Sequence, residues 1–163
     1  MAIPAEGCIL DKYLGKEVPF EFALACGDVD PRTLNYLPIG ALRGTDMSLE
    51  WDTVDATASD NTGSTRSNYA TYKSFSVSGD GVCKTRDGAN SNHTMLFKHV
   101  ANPVGGQPIA WIRLTYPDIT LYAFVIITTM GRATPFDELA TFSFECSSTD
   151  SPFGVIVEDT PLI

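Results

Sequence analysis

The feature that most constrains this chain is a recurring period of two. Residues 45–52 read TDMSLEWD, with Met47, Leu49 and Trp51 on one side and Asp46, Ser48, Glu50 and Asp52 on the other. Successive side chains of a strand point to opposite faces, so the pattern predicts one apolar face against a core and one acidic face in water. The same alternation places Phe20, Phe22, Leu24 and Cys26 together over 18–26, and Phe75 and Val77 opposite Ser74, Ser76 and Ser78 over 71–78. Gly79-Asp80-Gly81 closes that second strand. Over 139–147, Ala140, Phe142, Phe144 and Cys146 alternate with Thr141, Ser143, Glu145 and Ser147. Two more apolar runs, 109–116 and 119–129, flank a Pro117-Asp118 turn and predict a hairpin. Only residues 92–102 look helical, because Leu96 and Val100 stack four apart, Asn92 or Ser91 can cap the start and Pro103 stops the end. Many short strands, no strand–helix–strand rhythm and no internal repeat predict a mainly β protein. The expected fold is an antiparallel β-sandwich or open barrel with one short flanking α-helix.

Between these elements lie breaker-rich segments. Residues 28–40 hold Pro31, Asn35 and Pro38 and are expected as a loop. About 53–70 is a long stretch of Ser, Thr, Asn, Asp and Gly without apolar periodicity, and a loop of that length inside a compact domain usually has a function or is disordered. The C-terminal arm, 148–163, carries Pro152, Phe153 and a VIVED stretch, and its packing partner is left open.

Length and charge narrow the function. At 163 residues, 44% of them hydrophobic and 19% charged, the chain fits a single domain (1–163) with a self-sufficient core. Eleven basic against twenty acidic residues leave a net charge of −9. Such a field repels phosphate, which excludes tight nucleic-acid binding but allows a surface past which DNA slides. The first twenty residues hold Glu6, Asp11, Lys12, Lys16 and Glu17, so a signal-peptide core is not expected there. The longest apolar run, 121–127, is too short to span a bilayer. Cys8, Cys26, Cys83 and Cys146 are widely spaced, and are expected as reduced, mostly core thiols of a cytosolically made protein.

Residues that could do chemistry are scarce. His93 and His99 stand six apart on different helix faces, which does not fit a zinc pair, and both are expected as solvated helix positions. No nucleophile elbow, phosphate loop or dinucleotide fingerprint occurs. Asp80, Asp87, Asn90 and Asn92 miss the spacing of a calcium loop. Asp46, Glu50 and Asp52 could be a carboxylate set for sugar hydrolysis, yet alternation alone puts them on one face, and a solvated acidic face is the simpler reading. Asn92-His93-Thr94 matches a glycosylation sequon that means nothing without export. No catalytic residue, metal ligand or cofactor site is assigned.

The order of elements is itself distinctive. A strand running into Thr53-Val54-Asp55-Ala56-Thr57, a polar loop, KSFSVSGD over 73–80, a short helix, a strand ending at Pro117-Asp118 and a last strand containing Thr141-Phe142-Ser143-Phe144 follow one another. That order, over about residues 40–150, resembles the tail tube (major tail) proteins of long-tailed bacteriophages. The first forty residues match nothing in that pattern. The resemblance implies a β-sandwich that assembles into hexameric rings, stacked into a hollow tube in the virion tail through which viral DNA passes without specific binding. The subunit would be made in the bacterial host cytoplasm, with no membrane partner. Its partners would be itself and tape measure, tail terminator and distal tail proteins. Tubes of contractile tails and of type VI secretion share the fold and stand as the nearest alternative.

Within that reading, Asp46, Ser48, Glu50, Asp52, Ser74, Ser76 and Ser78 are expected to face the lumen, where like charge keeps phosphate sliding. An outward solvated face accounts equally well for the same alternation. Asp55, Asp60, Asn61, Arg66, Asn68 and Tyr69 are expected in a loop that orders against the neighbouring ring. A different class, a small carbohydrate-binding sandwich, would use Tyr69, Tyr72 or Trp111 as stacking platforms, although Trp111 in so apolar a run reads better as core.

Overall fold

The computed structural model describes residues 14, 15, 18–39, 42–59, 63, 65–83 and 88–160, with helix side chains from Asn92 onward. Its elements are β1 (Phe20–Ala23), a 3-10 turn (Pro31–Thr33), β2 (Leu37–Pro38), β3 (Leu42–Asp55), β4 (Asn68–Val82), α1 (Gly88–Ala101), β5 (Ile109–Thr115), β6 (Ile119–Ala133), β7 (Thr141–Ser148) and β8 (Ile156–Asp159). All pairings are antiparallel and form one sheet in the order β2-β1-β5-β6-β7-β4-β3, with β8 on β6. The protein is thus mainly antiparallel β with one helix, as the alternation predicts.

The sheet folds over on itself. Two strands separate β1 from β7 in the sheet order, yet the rings of Phe20 and Phe144 meet at 5.0 Å between centroids. Between the folded halves lie Phe22, Phe75, Val77, Ile112, Leu114, Val125 and Phe142, and α1 adds Leu96. Close packing here leaves no room at Gly79, where a Cβ would come within 2.8 Å of the Phe144 ring. Gly79-Asp80-Gly81 therefore does not close the strand as expected: β4 runs through it to Val82.

The strands β5 and β6 are covered on both faces. Their second face holds Trp111, fully buried, against Phe124 at 5.2 Å, with Ala23, Leu34 and Tyr36 around them and Phe153 from the C-terminal arm at 6.3 Å. The indole N–H of Trp111 donates to the carbonyl of Cys26 at 3.0 Å. That bond, and a Phe124 ring too close to Gly27 for any Cβ, turn the chain away from the sheet after Ala23. Consequently β1 is shorter than the expected 18–26, and Leu24 and Cys26 are exposed rather than core. Of the described cysteines only Cys146 is buried, and burial pushes its thiol up to about 12.

Four other expectations change. Segment 28–40 contains the 3-10 turn, capped by the Asp30 carboxylate accepting from Arg32 N at 3.0 Å, and the short β2. The helix begins at Gly88 rather than 92. His93 is 4% exposed, not solvated, with its ring 4.0 Å from Phe142, while His99 is half-buried and donates Nε2–H to the carbonyl of Ile109 at 2.9 Å. The C-terminal arm returns to its own subunit, where β8 pairs with Ile119–Tyr122 of β6 and Glu158 holds Arg32 in an ion pair. The β5–β6 hairpin forms as predicted, closed by Tyr116 N donating to Ile119 O at 2.8 Å, although β6 continues beyond 129 to Ala133.

Candidate functional site

The 14-residue β3 and the 15-residue β4 make a hairpin longer than the rest of the fold can cover. β7 pairs with β4 only from Ser76 to Val82, so residues 68–74 of β4 and their β3 partners overhang as an arm. At about 3.3 Å per residue that overhang is roughly 23 Å long. The arm absorbs both ends of the expected 53–70 loop. Asp55 and Asn68 face each other, Tyr69 faces Val54, and the connection proper is 56–67. Its neck is tied by Ala56 N to Ser67 O at 2.8 Å, Ser67 N to Thr57 Oγ1 at 3.0 Å, and Thr57 N to Asp55 Oδ1 at 2.9 Å. Bonds from the Thr57 hydroxyl and backbone N–H hold the Asp55 carboxyl below its ordinary range. Of the residues assigned to a stacking loop, Asp55, Asn68 and Tyr69 therefore sit on strands. Arg66 is exposed in the connection, and Asp60 and Asn61 lie outside the described residues.

Register brings the polar set together. Asp46 pairs with Ser78, Ser48 with Ser76 and Glu50 with Ser74, and the hydroxyls of Ser48 and Ser76 meet at 2.7 Å. β7 extends this face, because Ser78 pairs with Glu145, Ser76 with Ser147 and Asp80 with Ser143. A shallow groove of about 360 Å³ crosses it, lined by Asp46, Ser48, Ser76, Ser78, Thr128 and Glu145 among others. Asp52 stands apart: a register shift between Trp51 and Thr53 leaves it without a cross-strand partner, and its carbonyl accepts from Thr71 Oγ1 at 3.1 Å. Glu145 and Asp80 were not among the lumen-facing candidates from sequence. Their own strands mark them as outward, but only the β4–β7 pairing puts them on the acidic face.

The opposite face of the arm is apolar and bare. Met47 pairs with Val77 and Leu49 with Phe75; β7 and the core bury Val77 and Phe75, whereas Met47 and Leu49 are exposed. Trp51 is 54% exposed and pairs with Lys73, whereas past the register shift Val54 and its partner Tyr69, also exposed, fall in phase with Asp52 on the other face. The expectation that Met47, Leu49 and Trp51 face a core thus fails within the subunit. The folded-over half of the sheet ends before it reaches them. A patch of this kind on a small domain marks an interaction site.

Both borders of this layer are open among the described residues. The sheet ends at β3, so among the described residues nothing pairs with its outer edge. On the other side, β5 accompanies β6 through Ile126 and Pro108 O accepts from Ile127 N, after which, among the described residues, Thr129 to Ala133 pair with β7 alone. Among the described residues, the C-terminal half of β6, β7, β4 and β3 therefore form a four-stranded layer with one acidic face and two unpaired edges. Unpaired edges template strand addition.

Elsewhere the polar groups serve the fold. Arg113 bonds Glu21 at 2.5 Å across the β1–β5 pair and lies 4.6 Å from the centre of the Tyr36 ring. Burial works against its charge, but the Glu21 carboxylate prevails and raises its pKa. Trp111 is unavailable as a sugar platform because it is fully buried; Tyr69 and Tyr72 are exposed. Among the described residues no group of three or more His, Cys, Asp or Glu could hold a metal ion.

No family model and no curated protein matches the chain. Solved structures do. The tail of an empty gene transfer agent particle with C6 symmetry is similar at a TM-score of 0.67 and 21% identity, over 92% of this chain and 100% of that one. The SPP1 tail tube is similar at a TM-score of 0.56 and 13% identity, over 91% and 80%. A chain of the anti-feeding prophage baseplate follows at 0.53 and 12%, over 99% and 100%. The chain has the fold of tail tube proteins, as the order of its elements suggested.

Proposed function

We propose that this chain is a structural, non-catalytic subunit of a tail tube in a virion tail. The observation that carries the reading is the four-stranded layer with its acidic face and two open edges. The outer edge of β3 in one copy adds to the open half of β6 in the next, so each junction satisfies backbone groups that would otherwise stay unpaired. The two edges differ, which makes the contact head-to-tail and able to close a ring. The gene transfer agent tail has C6 symmetry. Six such layers, about 24 strands at ~4.8 Å spacing and ~40° tilt, would close a barrel of roughly 48 Å backbone diameter.

Asp46, Glu50, Asp80 and Glu145, with the serines among them, line the lumen in this arrangement. A carboxylate wall repels phosphate, so passing DNA finds no cationic group to displace its counterions and slides. Rings stack into the tube, and the partners of the chain are other copies of itself and the tape measure, terminator and distal proteins of the tail. Negative-stain imaging of the purified, concentrated protein tests the reading: hollow tubes or rings of six are expected, and a subunit that stays solitary overturns it.

A further inference from the structure

The two ends of the four-stranded layer are unlike. At one end is the overhanging arm, whose apolar stripe Met47, Leu49 and Trp51 runs onto it and carries one cation, Lys73, opposite Trp51. At the other end, β6 stops at Ala133 and β7 starts at Thr141, next to Val82 of β4. The loop joining them, 134–140, reads TPFDELA. Its Phe136 is wholly exposed and its Leu139 is 69% exposed, with Asp137 and Glu138 between them. A short loop that holds out two large apolar side chains gains nothing within its own subunit.

We propose that this loop is a knob that docks on the arm of a second copy in the adjacent ring. Phe136 and Leu139 seat on the stripe formed by Met47, Leu49 and Trp51, and the carboxylates of Asp137 and Glu138 meet Lys73. Three observations converge on that occupant. Knob and stripe are both apolar, their flanking charges are opposite, and they sit at opposite ends of one hydrogen-bonded layer. The last point decides the geometry. A knob at one end and its receptor at the other cannot satisfy each other within one molecule, and copies in a common orientation join them end to end without closure. The contact rests on the tube reading and specifies how one ring recognises the next. It also gives the arm a role beyond its tip, because the receiving surface is the face of the hairpin and not the 56–67 connection alone.

The test is the double variant Phe136→Ala/Leu139→Ala in the full chain. Circular dichroism and thermal melting confirm the fold, which the exposed positions leave intact. Expected are rings of wild-type diameter and tubes at least tenfold shorter than wild type. A second set keeps the apolar knob and reverses charge: Lys73→Glu shortens tubes, and adding Asp137→Lys/Glu138→Lys to it restores their length. Tubes of wild-type length from the double variant overturn the docking while leaving the tube reading standing. Loss of rings as well as tubes also overturns it, since the knob would then act within the ring. A wild-type protein that forms neither rings nor tubes overturns the tube reading and this contact with it.

Discussion

β5 and β6 on one side and the β3–β4 arm on the other are built from similar residues and end differently. Trp111 and Trp51 are both tryptophans on paired strands; the first is fully buried between Phe124 and Phe153, and the second stands 54% exposed at the far end of a hairpin. The central strands are finished inside the subunit, covered on one face by the folded-over half of the sheet and Leu96 of α1, and on the other by the 24–36 segment and Phe153. The arm has an apolar side and a polar side but, among the described residues, no second layer. The difference separates residues that fold the subunit from residues that join it to others.

The largest expected effect breaks the comparison at these two tryptophans. Trp111→Ala should cost about 3–5 kcal/mol of subunit stability through a cavity and the loss of its bond to Cys26 O. Trp51→Ala should change subunit stability by no more than about 0.5 kcal/mol, as exposed substitutions usually do, yet shorten tubes. Chemical unfolding of both variants beside electron microscopy of their assemblies checks the contrast.

Of intermediate size is the effect of charge on the acidic face. Asp46→Lys with Glu50→Lys should leave subunit stability and ring formation intact but make tubes retain DNA, with retention falling steeply as salt rises. Unchanged DNA retention across a range of salt would move that face out of the lumen.

The smallest effect is a pH dependence that begins in the covered half. Burial, reinforced by the Arg132 guanidinium, holds His93 below its ordinary pKa of 6.5. Its Nε2 has no hydrogen-bond partner among the described residues. The folded state therefore binds this proton less readily than the unfolded chain. Stability from neutral His93 is fully present above pH 6.5 and declines as the pH falls below it toward the depressed folded value. Asp55 acts in the same direction at lower pH, its hydrogen-bonded carboxylate stabilising the neck of the arm until it protonates. His93→Phe should flatten the decline just below pH 6.5 in unfolding curves; an unchanged slope would remove His93 as its source.

Much of this architecture was legible. Pro117-Asp118 marked the β5–β6 turn, Pro103 the end of α1, and alternation put Asp46, Ser48, Glu50, Ser74, Ser76 and Ser78 on one side. What alternation cannot state is whether an apolar side is covered by its own chain, so Met47, Leu49 and Trp51 read as core. The arm looked shorter because Asp55, Asn68 and Ala70 are poor strand formers and leave Thr53, Val54 and Tyr69 without an apolar alternation, so these ends pair only as a continuation of the ladder. His93 carried a signal that was passed over: it lies three residues before Leu96 and seven before Val100, on the same face of the helix. Glu145 and Asp80 could not be joined to the acidic face from sequence, because strand order is not written in any single strand.

A helical reconstruction of the assembled tube reaches the central claim most directly. It should show β3 of one copy hydrogen-bonded to Thr129–Ala133 of the next, with Asp46, Glu50 and Glu145 turned toward the axis. A tube whose neighbours meet through β8 or α1, or whose inner wall carries the Trp51 face, would contradict it.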